Sequence, residues 1–409
     1  MRCLVTNLEL IKIKEAKVSG IYLAGSELVR LSFSREEARK FVLERLHLTP
    51  EKLGEGKKDT LSIVRDIGGL QDGWHFYEMF ARMKAFQRGW LIDLLQRGKL
   101  VYGHVLRKAL RIVSADEYPF FFKATRSIMR KKAAYYACPE RLTSSHRKAL
   151  ALIERHQPIT PSGFSKVFSD AHPELKKEAR RLFYELYNFG EIIRVGFRRG
   201  RPRYGLTRTF FSEMKIEEVP EEKAREWLAS KCLKVYGPFC AHDIAHWVGW
   251  TVKETRNILN SLHEKGEVIK VEVEGRTHIQ WLLSEDLESL SSIETSPEEP
   301  GLVRILFNDD ALLLGYYKRL ERTFGFRWIY PQLSKGEYLR PAILFSNEVI
   351  GELTLQLYSS SPKMIAEKLV IRKEFAEESV VEKVIKELER ISIFAGKELD
   401  VRFNLRSEL

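Results

Sequence analysis

Arginine side chains crowd one short stretch of the sequence, residues 192–209. Six arginines occur there with no aspartate or glutamate among them, and most flank a predicted turn at Gly200. Guanidinium groups bind phosphate oxygens through charge-assisted hydrogen bonds, so this stretch predicts contact with a polyanion such as double-stranded DNA. The alternative is a basic run that only solvates the surface. The predicted DNA contacts are Arg198, Arg199, Arg201 and Arg203.

The flanking sequence indicates which elements present these arginines. Apolar residues upstream follow the spacing of an amphipathic helix, which Gly190 then ends. Two predicted strands, 191–195 and 203–206, enclose the basic turn. Because a helix followed by a basic hairpin is the plan of a recognition helix and its wing, Arg180 and Arg181 on the helix are predicted to contact DNA as well.

Helices followed by a hairpin recur along the chain, which predicts tandem winged-helix modules over 31–140, 141–215 and 216–284. In the third module, Thr251 and Glu254 have the spacing of a capping box at the start of a helix. The polar face of that helix adds three predicted DNA contacts, Lys253, Arg256 and Asn257.

The composition changes at both ends of this repeated region. Residues 1–30 predict a few short strands, and the Ser-, Pro- and Glu-rich residues 285–301 predict a linker. Residues 302–409 predict a small antiparallel β domain with a packed helix. The predicted fold class is therefore α+β, with tandem winged-helix (helix-turn-helix) modules followed by this C-terminal β domain.

Composition narrows the classes of protein and partner. The chain has 409 residues and a net charge of +12, which favours an anionic partner. Four cysteines without a C-x-x-C pair predict a reducing, cytoplasmic compartment. No apolar run reaches the ~20 residues that span a bilayer, so no membrane partner is expected. The charged fraction of 30% is typical of a heat-adapted source.

Cys240, His242 and His246 are the residues whose types could bind a metal ion. The two histidines lie four residues apart, so they could share one face of a helix. A zinc site usually shows four ligands, and no fourth is in view. The prediction is therefore that no metal binds, and that His246 and Trp247 pack within the module.

Several segments resemble one protein family, the winged-helix DNA glycosylases of the AlkZ/YcaQ type, which unhook alkylated and crosslinked bases. These segments are Leu31-Ser32-Phe33-Ser34 with residues 36–39, Ile67-Gly68-Gly69-Leu70-Gln71, the stretch 100–119, residues 203–208, and residues 318–326 followed by Arg340-Pro341 and Val349-Ile350-Gly351. They span most of the chain in the family's order. The resemblance implies tandem winged helices around a basic channel, joined to a C-terminal β domain.

The resemblance also implies a chemistry, namely hydrolysis of the N-glycosidic bond of N7-alkylated purines without a metal or cofactor. The family signature is Gln, any residue, then Gln or Asp. Gln71 matches the first position, Asp72 occupies the second, and Gly73 leaves the third without a side chain. Glutamine positions a water but takes no proton, so Asp72 is the predicted second catalytic residue, provided that an irregular loop lets it converge with Gln71. Otherwise Gln71 is a polar residue at a helix end.

Two further features carry alternative interpretations. The cluster Asn308-Asp309-Asp310 is the second candidate for the catalytic site, because the resemblance implies an aspartate in a similar apolar setting there. The favoured alternative is an Asx turn ahead of residues 312–317. The aromatic residues that follow Gln71, between Trp74 and Phe80, could stack on a displaced base, although for any single member a core position is favoured.

Two functions follow from these patterns. The first is a monomeric, monofunctional DNA glycosylase that acts on duplex DNA, with Gln71 and Asp72 as catalytic residues. The second is a non-catalytic winged-helix protein, either a transcriptional regulator or a structure-specific binder. The altered signature favours the second function. The domain after Gly301, which a simple regulator would not need, favours the first.

Overall fold

A computed structural model describes residues 21–24, 27–131, 141–198, 201–210, 216–293, 301–316, 320–330 and 339–403. Of the strands predicted within residues 1–30, the described part contains a hairpin of Ile21–Ala24 (β1) and Glu27–Arg30 (β2). The other residues of that prediction lie outside the described ranges.

The helices follow the predicted order, and in the described ranges none of them has both the length and the apolar character to cross a bilayer. They are Arg35–Arg45 (α1), Thr60–Asp66 (α2), His75–Ala81 (α3), Arg88–Gln96 (α4), Tyr118–Lys131 (α5), Ser144–His156 (α6), Pro161–Ala171 (α7), Ala179–Phe189 (α8), Thr207–Phe210 (α9), Glu221–Tyr236 (α10), Ala241–Val248 (α11), Val252–Glu264 (α12), Leu287–Ser291 (α13), Ala311–Gly315 (α14), Leu320–Phe324 (α15) and Glu378–Ala395 (α16).

The remaining strands form three sheets. They are Ser32–Phe33 (β3), Leu70–Gln71 (β4), Leu100–His104 (β5), Leu110–Ser114 (β6), Ile192–Arg198 (β7), Arg201–Leu206 (β8), Val268–Val273 (β9), Gln280–Leu283 (β10), Val303–Leu306 (β11), Ala342–Phe345 (β12), Glu348–Gln356 (β13), Lys363–Ile371 (β14) and Glu398–Val401 (β15).

One five-stranded sheet, ordered β4-β6-β5-β7-β8, joins two hairpins that the sequence assigns to separate modules. The link is an antiparallel pairing of Tyr102 on β5 with Arg194 on β7. The basic hairpin β7-β8 is therefore continuous with the strand that carries Gln71. Action of these units as winged helices on DNA stays a prediction.

The C-terminal sheet, ordered β11-β12-β13-β14-β15, corrects one part of the predicted β domain. Its first four strands are antiparallel as predicted, but β15 pairs parallel with β14. Parallel neighbours need a long crossover connection, and the predicted packed helix, α16, is that connection.

Local capping signals explain several helix starts. Ser34 and Glu37 form a capping box at α1, and Thr251 and Glu254 form the predicted one at α12. At α6 the Thr143 hydroxyl accepts the capping hydrogen bond, from the backbone N–H of His146. Gly190 ends α8 with a φ of 75°, in the left-handed region that glycine adopts readily.

The largest hydrophobic cluster crosses the predicted module boundaries. It contains Val64 near the amino terminus, Trp247 in the third module and Ile305 in the C-terminal sheet. The middle module keeps a cluster of its own around Phe164 and Phe183. The segment predicted as a linker begins with α13, and its Leu290 is buried against α1 residues. The exact domain boundaries stay a prediction.

A buried ion pair ties α3 to the loop before α14. The Arg82 guanidinium donates to both oxygens of Asp310, at 2.6 and 2.8 Å, and both side chains are fully buried. Asp310 Oδ1 also accepts from the backbone N–H of Leu312, which confirms the predicted capping turn. Glu78 accepts from the backbone N–H of Ala311 at 2.8 Å.

We predict that Asp310→Ala lowers the free energy of unfolding by about 3–5 kcal/mol, because it leaves the buried Arg82 charge unpaired. Urea unfolding followed by circular dichroism measures the change. Asp93→Ala removes a carboxylate from two surface pairs, with Arg97 and Lys57, and should lower the free energy of unfolding by less than about 1 kcal/mol. Equal effects of the two substitutions would contradict the prediction.

A second prediction concerns pH. Burial raises the pKa of Glu78 to about 8, against the opposing charge of Arg82. Because this value lies above the ordinary 4.5, the proton-linked stability is complete below pH 4.5 and is lost as pH rises through about 8. We expect Glu78→Gln, which keeps the acceptor for Ala311, to flatten this fall in unfolding free energy. The exposed control Glu321→Gln should retain the wild-type pH dependence.

Candidate active site

Gln71 lies on the short edge strand β4, opposite Arg111 on β6. The chain enters this strand through Gly68 and Gly69, with φ values of 71° and 88°. A Cβ on Gly69 would come within 2.6 Å of Val113 and 2.8 Å of the Ile112 carbonyl oxygen, so the turn requires glycine. Gln71 is thus a strand residue, and the alternative of a helix-end position is wrong.

The Gln71 side chain binds an aspartate that is distant in sequence. Its Nε2 donates to Oδ1 of Asp309 at 2.8 Å, and the Tyr330 hydroxyl donates to the same oxygen at 2.8 Å. Asp309 is only 8% exposed. Burial raises the pKa of the Asp309 carboxyl, opposed by the Tyr330 hydrogen bond and the positive charge of Arg111.

Gly73 lies directly beside this carboxylate. The residue is exposed, with a φ of 127°, and a Cβ built on it would lie 3.0 Å from Asp309 Oδ2. No other atom outside its chain neighbours, in the described ranges, lies within 4 Å of that position. The Asp309 carboxylate therefore borders the space of the missing third side chain of the signature.

Asp72 points to different partners. Its carboxylate lies 3.8 Å from Arg194 Nη1 and 3.8 Å from His75 Nδ1, at loose ion-pair distances. Burial lowers the pKa of His75, with the Asp72 charge acting in the opposite direction, so a neutral imidazole is favoured at pH 7. Asp72 lies in the turn that follows β4, and its side chain and that of Gln71 have different partners, so the expected convergence on one group is not seen.

Arg194 connects the site to the basic hairpin. Its guanidinium carbon lies 4.5 Å from the Tyr102 ring centroid and 5.4 Å from that of Phe197, both within cation–π range. Phe197 is 49% exposed on the strand that enters the arginine turn. An exposed aromatic residue beside a basic turn is a recognisable signal for base contact, which makes Phe197 an additional candidate that was not predicted from the sequence.

The aromatic residues after Gln71 mostly pack against rings of the C-terminal domain, as the favoured core interpretation predicts. Trp74 and Tyr77 stack on Phe307, with ring centroids 5.2 and 4.5 Å apart, and Phe80 stacks on Phe394 at 4.4 Å. These contacts join the segment after Gln71 to the C-terminal β domain.

The predicted DNA contacts in the middle module differ in their surroundings. Arg180 and Arg201 are exposed, whereas Arg181 forms ion pairs with Glu185 and Glu178. Arg203 donates to the Pro158 carbonyl oxygen. Arg199 and the Arg198 side chain lie outside the described part. All of these contacts stay predictions.

Lys253, Arg256 and Asn257 are exposed on α12. Arg256 and Asn257 line two different cavities, and the charged residues of one cavity are mainly basic while those of the other are mainly acidic. Arg256 lines a cavity of about 400 Å³ whose other lining residues include Lys270, His242 and His278. Asn257 lines a cavity of about 470 Å³ that contains four glutamates, Glu221, Glu222, Glu226 and Glu254. The electrostatics therefore favour Arg256 over Asn257 as a predicted DNA contact.

The residues considered for a metal face separate partners. The His242 ring stacks on His278 with centroids 4.7 Å apart, and His246 Nε2 lies 3.1 Å from Arg107 Nη1. Cys240 precedes α11, and its backbone N–H donates to Asp243. Over the described ranges, no group of three or more His, Cys, Asp or Glu side chains has a geometry that could hold a metal ion.

A family model described as "DNA glycosylase AlkZ-like" matches residues 64–390. The solved structure of Streptomyces sahachiroi DNA glycosylase AlkZ is similar, with a TM-score of 0.67 at 16% sequence identity, over 91% of this chain and 99% of that chain. At this identity the likeness shows the fold. No curated protein sequence gives a significant match.

The matched range contains both Gln71 and Asp309, and it covers most of the chain. It also includes the sheet β4-β6-β5-β7-β8 and the larger part of the C-terminal domain. The chain belongs to the AlkZ-like DNA glycosylase family.

Proposed function

We propose that this protein is a monofunctional DNA glycosylase that hydrolyses the N-glycosidic bond of N7-alkylated or crosslinked purines in duplex DNA. The observation that carries the proposal is the Gln71 amide, held at 2.8 Å by Asp309 beside the exposed residue Gly73. A polar pair that is rigidly held at an open edge suits the placement of one water molecule.

Gln71 positions the attacking water in this proposal. Its amide N–H₂ is engaged by Asp309, which fixes the side chain and leaves the carbonyl oxygen Oε1 to accept from water. An N7-alkylated purine already carries positive charge and departs without protonation. Asp72, beside Arg194, adds negative charge near the sugar, where positive charge develops as the bond breaks.

The alternative is a DNA-binding protein of the same family that lacks the chemistry, and Gly73 is the observation that favours it. Duplex DNA is the proposed partner in either case. Action as a monomer in the cytoplasm, and heat adaptation of the source, remain predictions from the sequence.

The enzymatic proposal predicts strand breaks in a duplex with a single N7-methylguanine, after incubation with the protein and alkaline cleavage of the abasic site. We expect Gln71→Ala to lower the single-turnover rate on the order of 100-fold, because the water loses its positioning group. Gln96→Ala removes an exposed glutamine at the end of α4 and serves as the matched control.

Retained duplex binding without strand breaks would reject the enzyme and support the binding-only alternative. Strand breaks that are unaffected by Gln71→Ala would place the chemistry elsewhere.

A separate prediction concerns the basic hairpin. We expect Arg201→Ala to weaken duplex binding and to lower the salt slope by about 0.9, the value of one phosphate contact. The triple change of Arg198, Arg199 and Arg201 to Ala should have a larger effect on both. Arg208→Ala is the matched control, because that exposed guanidinium is paired with Glu154 at 2.9 Å.

Fluorescence anisotropy across a salt series measures both quantities. Equal slopes for Arg201→Ala and Arg208→Ala would contradict phosphate contact by the hairpin.

A further inference from the structure

We infer that Asp309 is a catalytic residue. It supplies, from the C-terminal domain, the carboxylate that is missing at the third position of the signature, where this chain has Gly73. The inference rests on the proposed function and names the group that accepts the proton of the attacking water. Neither Gln71 nor Gly73 can take that proton, so a glycosylase with this signature needs another base.

The geometry places the Asp309 carboxylate where the third side chain of the signature would begin. A Cβ on residue 73 would lie 3.0 Å from Asp309 Oδ2, closer than ordinary van der Waals contact. A side chain at 73 and the present Asp309 carboxylate therefore compete for one space. The glycine at 73 and the aspartate at 309 form one arrangement, split between segments more than 200 residues apart.

The two oxygens of Asp309 have different surroundings. Oδ1 accepts hydrogen bonds from Gln71 and Tyr330, which orient the carboxylate and stabilise its charge. Oδ2 lies beside the exposed Gly73, so an atom that enters over this glycine reaches Oδ2 of the carboxylate whose Oδ1 holds the Gln71 amide. This is the arrangement required of a base beside a water-positioning group.

The other carboxylates nearby are already used. Asp310 accepts both donors of the buried Arg82 and caps α14. Glu78 accepts from Ala311, and burial favours its protonated form. Asp72 diverges from Gln71 towards Arg194. Among these four carboxylates, Asp309 alone binds the Gln71 side chain.

The water oxygen forms a bond to C1′ of the deoxyribose as the bond from C1′ to N9 of the alkylpurine breaks. The electron pair of the broken bond neutralises the cationic base, which leaves without a proton. The water gives one proton to Asp309 Oδ2 and keeps the other as the C1′ hydroxyl. Asp309 then releases its proton to solvent.

Burial supports this role in two ways. A carboxylate that is 8% exposed acts through a low dielectric, which strengthens its attraction to the positive charge that develops on the sugar. Burial also raises its pKa, which makes it a better proton acceptor than an exposed aspartate. Tyr330 is a positioning residue, because it acts on the substrate only through Asp309.

The test compares Asp309→Asn with Asp72→Asn in single-turnover excision of N7-methylguanine from a duplex. Asn keeps the acceptor for Gln71 and Tyr330 but has no charge and takes no proton. We expect Asp309→Asn to lower the rate by roughly 10²- to 10⁴-fold, with duplex binding and the urea midpoint unchanged. Asp72→Asn should lower it by less than about tenfold, as expected for a more distant charge in solvent.

A second measurement holds even if Asp309→Asn unfolds the protein. The wild-type rate should fall at low pH as Asp309 protonates. The Tyr330 hydrogen bond lowers the pKa of Asp309, so Tyr330→Phe should move this acid limb to higher pH. A merely structural role for either residue would leave the position of the limb unchanged.

The outcomes separate this inference from the proposed function. A wild-type protein without excision activity rejects the glycosylase itself. An active wild type, with Gln71→Ala impaired and Asp309→Asn at the wild-type rate, overturns the inference and leaves the glycosylase standing. An unshifted acid limb in Tyr330→Phe likewise overturns it.

Discussion

The buried ion pair between Arg82 and Asp310 fixes the relation between the two parts of the candidate site. Arg82 follows the helix after Gln71, and Asp310 precedes a helix of the C-terminal domain. Asp309 is adjacent to Asp310 in the chain. The Arg82–Asp310 pair therefore fixes the position from which the Asp309 carboxylate contacts Gln71. An ion pair with no exposure costs desolvation energy, which the two short hydrogen bonds and the capped N–H of Leu312 offset.

Four carboxylates within this small region have different chemical states because their surroundings differ. Asp310 is paired with a guanidinium, Glu78 is favoured as the neutral acid, and Asp72 lies in a half-exposed position near Arg194. Asp309 is buried, hydrogen-bonded on one oxygen and turned towards a glycine on the other. The same side-chain type can thus serve structure or chemistry, according to its environment.

The sheet β4-β6-β5-β7-β8 connects the candidate site to the basic hairpin, through the pairing of Tyr102 with Arg194. Gln71 lies on its first strand and the arginine turn joins its last two. Arg194 bridges between them, in contact with Asp72 on one side and the exposed Phe197 on the other. A phosphate backbone on the hairpin would therefore have a fixed distance to Gln71, which suits an enzyme that must select one nucleotide.

The sequence by itself determined the local structure, because capping residues, glycine stops and apolar spacing act within a few residues of each other. It placed α8, Gly190 and the basic hairpin, and it indicated Gln71 through a short motif. Only the tertiary structure decided which carboxylate meets Gln71, that two hairpins share a sheet, and that β15 is parallel. These features join segments far apart in the chain, and no local pattern records such contacts.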